Sequence, residues 1–269
     1  MGRIGFRFEG GGAWGLGHVY RCRNLIAQLL KEGVECIVFS HFNEAIKTVF
    51  REIECEKIDL KSKNQEEEKK EMAVLLLQKK ISTLVLDILD TTADYVSELK
   101  KYACIVGIDD CGEGGQLLNR RINAIVLPAA EKVRDEADFI GDKYIVLNEN
   151  VLNYASCEKE ISPGISELLL SFGGSDPLNL TQKMLEVLSG SKWNLTVVAG
   201  SAYENFDYLK KYETERCRVL KNVNNLPELI FKSDLCFISG GITLYEVMAI
   251  GTPCCVICQV PHQLVTASR

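Results

Sequence analysis

His18 closes a glycine-rich segment, GGGAWGLGH (Gly10–His18), that follows one apolar run and opens an amphipathic one. An imidazole placed there, at the start of a helix, suits proton transfer near neutral pH. Two further glycine-rich segments share that setting, FGGSDP (Phe172–Pro177) and SGGIT (Ser239–Thr243). A helix N-terminus offers unpaired backbone N–H groups and the positive end of the helix dipole, and glycine lets an anion approach that backbone closely. One such loop is as readily a packing turn. Three of them, divided between the two halves of the chain, point to a phosphate-bearing ligand.

The residues around these loops narrow the chemistry. Ser175 and Asp176 are of the type that caps a helix, with Pro177 suited to its first turn. The amides of Gly173–Ser175 suit a diphosphate. Thr243 and Glu246 lie one helical turn apart and so share a face, where a carboxylate can grip vicinal ribose hydroxyls. The plainer alternatives are a surface N-cap at His18 and a solvated carboxylate at Glu246.

The elements that must position these residues alternate along the chain. Arg3–Phe8, Glu35–Ser40, Thr83–Leu86 and Ala103–Ile108 read as strands, and His18–Glu32 as a helix with Val19, Cys22, Ile26 and Leu29 on one face and Gly33 as its stop. QEEEKKE (Gln65–Glu71) reads as the solvated start of another helix. Around Leu147–Gly164 the periodicity lapses, and the domain boundary is expected there. The rhythm then resumes, with strands at Glu167–Phe172, Leu195–Ala199, Leu235–Ile238 and Pro253–Cys258 and a helix at Leu178–Leu188. The expected fold is therefore α/β, two Rossmann-like domains over 1–150 and 165–269 with parallel sheets that face a cleft.

Composition excludes several classes of function. A net charge of −6 argues against nucleic acid as a partner, because a nucleic-acid binder needs a basic face. The apolar runs are too short to span a bilayer, and no basic leader precedes one, so a cytoplasmic protein is expected. In that reducing compartment the eleven cysteines read mainly as small core residues. Cys255 and Cys258 form a C-x-x-C, but within a strand residues three apart face opposite ways, which disfavours a metal.

At these motifs the chain resembles the PseG/SpsG family of nucleotide-sugar hydrolases, which share a two-domain fold with MurG-type glycosyltransferases. The resemblance runs through Arg7, GLGHVYRC ending at Cys22, IDD (Ile108–Asp110), FGGSDPLNLT ending at Thr181, SGGITLYEVMAIGTP ending at Pro253, and HQLVTA (His262–Ala267). It implies a GT-B-like architecture, with the sugar on the N-terminal domain and uridine diphosphate on the C-terminal one. The implied reaction is hydrolysis of a UDP-linked 2,4-diacetamido-2,4,6-trideoxy hexose at its anomeric centre, in nonulosonic acid or surface polysaccharide biosynthesis, with no metal or cofactor. His18 matches the family's catalytic histidine, which activates or positions water. Sugar-side residues implied by the match are Arg7, Glu9, Gly15, Gly17, Arg21, Asp87 and Asp109. On the nucleotide side they are Gly173, Gly174, Ser175, Ser239, Gly240, Gly241, Thr243, Glu246 and Gln263.

Three departures from the family pattern bear on the sugar more than on the reaction class. The family's Arg-x-Asp is Arg7-Phe8-Glu9 here, its Asp-His-Tyr is Asp87-Ile88-Leu89, and its Asn-Gln is His262-Gln263. The family also continues into a helix past the position of Ala267, whereas this sequence stops at Arg269, either as a piece of a longer chain or because its last helix is missing. Two other readings fit the same fold. One is a glycosyltransferase that passes the sugar to an acceptor; the other is a nucleotide-sugar binding protein without turnover, suggested by the lost His-Tyr pair.

Overall fold

The computed structural model describes residues 2–11, 16–123 and 138–268. They form two compact units, Met1–Val146 and Leu147–Arg269. In the first, strands β1 (Arg3–Phe8), β2 (Cys36–Ser40), β3 (Glu56–Asp59), β4 (Ile81–Asp87), β5 (Cys104–Ile108), β6 (Arg120–Asn123) and β7 (Phe139–Ile140) alternate with helices α1 (Gly17–Lys31), α2 (Glu44–Val49), α3 (Gln65–Gln78) and α4 (Ala93–Leu99). The second contains β8 (Glu167–Ser171), β9 (Asn194–Ala199), β10 (Cys217–Lys221), β11 (Leu235–Ile238) and β12 (Cys254–Val256). Its helices are α5 (Glu149–Ala155), α6 (Leu180–Leu188), α7 (Phe206–Leu209), α8 (Leu226–Lys232), α9 (Ile242–Ile250) and α10 (Pro261–Ala267).

Both sheets are parallel throughout, in the orders β3-β2-β1-β4-β5-β6-β7 and β10-β9-β8-β11-β12. Parallel strands covered on both faces become continuous apolar runs, and all five residues of Cys36–Ser40 are buried. In the first unit one sheet face packs Phe39, Met72, Leu76 and Tyr95, and the other packs Phe6, Phe8, Val19, Cys22 and Ile26. The second unit repeats this arrangement, with Leu170, Phe172 and Leu185 in one cluster and Leu169, Ile238, Leu244 and Val247 in the other.

In each sheet the strand order reverses direction once, between β1 and β4 and again between β8 and β11. Loops leaving the carboxyl ends of strands at such a reversal diverge to opposite faces and open a crevice. These two positions hold the chemistry-bearing loops. The segment expected as a boundary begins with α5, capped by Asn148 and anchored by the buried Val151 in the second unit's core.

Candidate active site

In the first unit the reversal point brings His18 and Asp87 together. Phe8 of β1 pairs in register with Asp87 at the end of β4, and His18 is the second residue of the helix that follows β1. His18 Nδ1 lies 2.5 Å from Asp87 Oδ1. Asp87 also receives Arg21 Nε on Oδ2 at 2.8 Å and Arg21 Nη2 on Oδ1 at 2.6 Å, a two-pronged pairing. Arg21 Nη1 reaches on to Asp109, the residue after β5. The ends of three adjacent strands thus converge on one helical turn.

Burial of Asp87 opposes its ionised form, but the charges and hydrogen bonds of Arg21 and His18 outweigh that and hold the carboxyl well below the usual carboxylate range. The Arg21 guanidinium is likewise held charged against burial by Asp87 and Asp109. Since the Asp87 carboxylate can only accept, His18 Nδ1 carries the proton in this contact and Nε2 is left as the basic nitrogen. His18 keeps 13% side-chain exposure while Asp87 has none, so the imidazole is the more accessible of the two.

Of the sugar-side residues that the resemblance implies, Arg21, Asp87 and Asp109 are buried and hydrogen-bonded to one another behind His18. Arg7 is buried as well. It is 1% exposed, with its guanidinium on Glu68 at 2.7 and 2.8 Å, on Glu9 and on the carbonyl of Phe8. Glu9 is half-buried beside it. Gly17 is exposed, and a Cβ added there meets nothing within 4 Å. Gly15 lies outside the described residues.

The structure corrects the reading of QEEEKKE, which is not solvated throughout. Its third glutamate is buried against Arg7 and accepts from Tyr95 Oη at 2.6 Å. Burial works against the Glu68 anion, but Arg7 prevails and lowers its pKa. The signal was present in the sequence: Glu68, Met72 and Leu76 recur at four-residue spacing on the buried face of α3.

In the second unit the loops after β8 and β11 are neighbours, because those strands pair. Gly173 has φ +89°, a conformation that favours glycine, and Ser239 Oγ lies beside it. Gly200, which sequence reasoning missed, passes so close that a Cβ there would sit 2.3 Å from the Gly174 carbonyl oxygen. The two helices that follow differ at their starts. Asp176 accepts from the amides of Leu180 and Thr181 at 2.9 and 2.8 Å, which caps α6, whereas α9 starts at Gly241 with no side-chain cap and no acidic residue in its first turn. Ser175 is exposed, and Thr243 is half-buried on α9.

Glu246, one turn beyond Thr243, is half-buried and has no hydrogen-bond or ionic partner among the described residues. Burial pushes its carboxyl up to about 7. Gln263 has a bracing role not foreseen: its Oε1 accepts from the Gln259 amide at 2.8 Å, and Gln259 Nε2 donates to the carbonyl of Phe172. Gly240 is needed for the same contact, since a Cβ there would lie 2.9 Å from Gln263 Cβ. The side chain of His262 is outside the described residues.

Two Rossmann-like α/β units with glycine loops at their strand reversals have a GT-B-like fold, and the solved structures similar to this chain bear out that fold class. MurG of Acinetobacter baumannii superposes with a TM-score of 0.62 at 10% identity, covering 99% of this chain and 82% of that one. A structure of LpCGTa in complex with UDP gives 0.63 at 11% identity, covering 99% and 82%. The S. aureus MnaA–UDP co-structure gives 0.61 at 12%, covering 97% and 81%. In sequence the chain is 27% identical over 278 residues to the spore coat polysaccharide biosynthesis protein SpsG of Bacillus subtilis (strain 168), covering 98% of this chain and 79% of that protein, which bears out the resemblance read from the motifs. It is equally 27% identical to the uncharacterized protein MJ1062 of Methanocaldococcus jannaschii, covering 96% of this chain but only 56% of that protein. No family model matches. Among the described residues no helix is long and apolar enough to cross a membrane.

Proposed function

We propose that the protein is a UDP-sugar hydrolase of polysaccharide or nonulosonic acid biosynthesis, cleaving a UDP-linked 2,4-diacetamido-2,4,6-trideoxy hexose at its anomeric carbon. The observation that carries the reading is the Asp87–His18 pair, braced by Arg21 and Asp109, which leaves Nε2 of His18 as an oriented base. Nε2 takes a proton from water as the water oxygen bonds to the anomeric carbon. The bond from that carbon to the diphosphate oxygen breaks, and UDP leaves with the electron pair. A general base of this kind contributes about 10²- to 10⁴-fold.

The first unit handles the sugar and the second the nucleotide. The uncapped amides at the start of α9 and the backbone around Gly173 and Gly174 receive the diphosphate and stabilise the charge developing on the leaving group. The unpartnered carboxylate of Glu246 accepts from the ribose hydroxyls. The similarity to SpsG supports the pathway, and the GT-B fold supports a nucleotide-sugar ligand.

The test is release of UDP from UDP-2,4-diacetamido-2,4,6-trideoxy hexoses with no acceptor present. Release that stops in His18→Ala supports the proposal. Release that needs an acceptor selects a transferase, and UDP binding without turnover selects a binding protein; either result overturns it.

A further inference from the structure

We propose that Glu9, His41 and Glu68 form a divalent-cation site in the first unit, with ligands distinct from the His18 network. The three residues line a cavity of about 430 Å³ with Gly10, Asn43 and Ser62. They come from the loops after β1 and β2 and from the first turn of α3. One ligand atom from each lies within 4.8 Å of the other two.

The tautomer of His41 is set by its surroundings. Its Nε2 is 2.8 Å from the carbonyl oxygen of Ser62, which can only accept, so Nε2 carries the hydrogen. In the neutral ring Nδ1 is then a lone pair, and it faces Glu9 Oε1 at 3.9 Å. That separation is too long for a hydrogen bond. Two ligands at about 2.1 Å from one ion in a tetrahedral site lie closer together than this, so ion binding draws the two side chains inward. An imidazole whose far nitrogen donates to a backbone carbonyl is the arrangement that fixes a ligating histidine.

Both carboxylates retain capacity for an ion. Arg7 Nη2 occupies Glu9 Oε1, and no partner of Glu9 Oε2 is seen among the described residues. On Glu68, Oε1 receives Arg7 Nε and Tyr95 Oη, while Oε2 receives Arg7 Nη2 and keeps a second lone pair. The buried Ser62 Oγ, without a hydrogen-bond partner among the described residues, adds a further unsatisfied oxygen to the cavity lining. One imidazole with two carboxylates suits Mn²⁺ or Zn²⁺. Arg7 offsets one of the two negative charges, which sets the affinity at a moderate level, and the bound ion ties the loops after β1 and β2 to α3.

Mn²⁺ is the probe of choice, because the chain's eleven cysteines compete for softer metals. Titration of the full chain, followed by electron paramagnetic resonance, is expected to show one bound Mn²⁺ with coupling to an imidazole nitrogen. His41→Ala and Glu9→Gln each weaken binding at least tenfold, and His18→Ala leaves it within twofold. Glu9→Gln decides the matter if His41→Ala fails to fold, since it keeps the side chain's size. No binding at millimolar Mn²⁺, no nitrogen coupling, or an affinity in both variants equal to that of the unaltered chain overturns the site.

Discussion

The two strand reversals of this molecule use opposite electrostatic designs. At β1/β4 the polar side chains are saturated: Asp87, Arg21 and Asp109 spend their hydrogen bonds on one another and on His18. At β8/β11 the side chains leave capacity open, with α9 uncapped and Glu246 unpartnered. A saturated network fixes the direction of one group, which suits a reacting base. An open set of donors with one lone carboxylate stays ready for a ligand that supplies the missing partners. The contrast also runs within the second unit, since Asp176 already occupies the amides at the start of α6 while those of α9 carry no side-chain cap.

The most severe way to break the first design is to remove the base or its orienting carboxylate. His18→Ala and Asp87→Asn are each expected to lower kcat for UDP release by about 10²- to 10⁴-fold, with UDP affinity by calorimetry unchanged. Equal loss of UDP binding would show that the two regions do not divide the work in this way. Arg21→Met strands the buried Asp87 charge and is expected to cost about 3–5 kcal/mol in urea denaturation. A loss below about 1 kcal/mol would mean that the network is not a unit.

The second design is sharpened by pH. Glu246 must be ionised to accept from both ribose hydroxyls, so UDP affinity rises with pH through about 7, and Glu246→Gln flattens that profile and weakens binding about tenfold. Stability responds with opposite sign in the two regions. The raised Glu246 value means that the unfolded chain loses this proton first, so stability falls as pH rises from 4.5 to about 7. Asp87 is held low, so its contribution is present above its ordinary value and disappears in acid. Denaturation of Glu246→Gln across pH 4 to 8 and of Asp87→Asn from pH 7 down to about 2 checks both signs. The smallest effect is expected from Asp176→Ala, about 1 kcal/mol from the lost cap of α6.

Periodicity in the sequence marked the strands built of apolar runs, and Arg3–Phe8 and Leu235–Ile238 match their expected bounds residue for residue. It missed β3, β6, β7 and β10, since Glu56–Asp59, Arg120–Asn123, Phe139–Ile140 and Cys217–Lys221 are short or interrupted by charges. His18 was legible because a glycine loop before a helix is a local pattern. The roles of Arg7, Arg21 and Asp87 were not. A motif shows which residues occur together and leaves open which of them face solvent.

By itself the sequence determined the local facts: where strands and helices begin, that three glycine loops open helices, and that His18 stands at one of them. Those features depend on residues within a few positions of each other. Only the tertiary structure decided that Asp87 stands behind His18, 69 positions away, and that Glu68 turns inward to Arg7. The physical reason is strand order. β4 pairs with β1 across the whole β2-β3-α3 segment, and no local periodicity records which distant strand will be the neighbour.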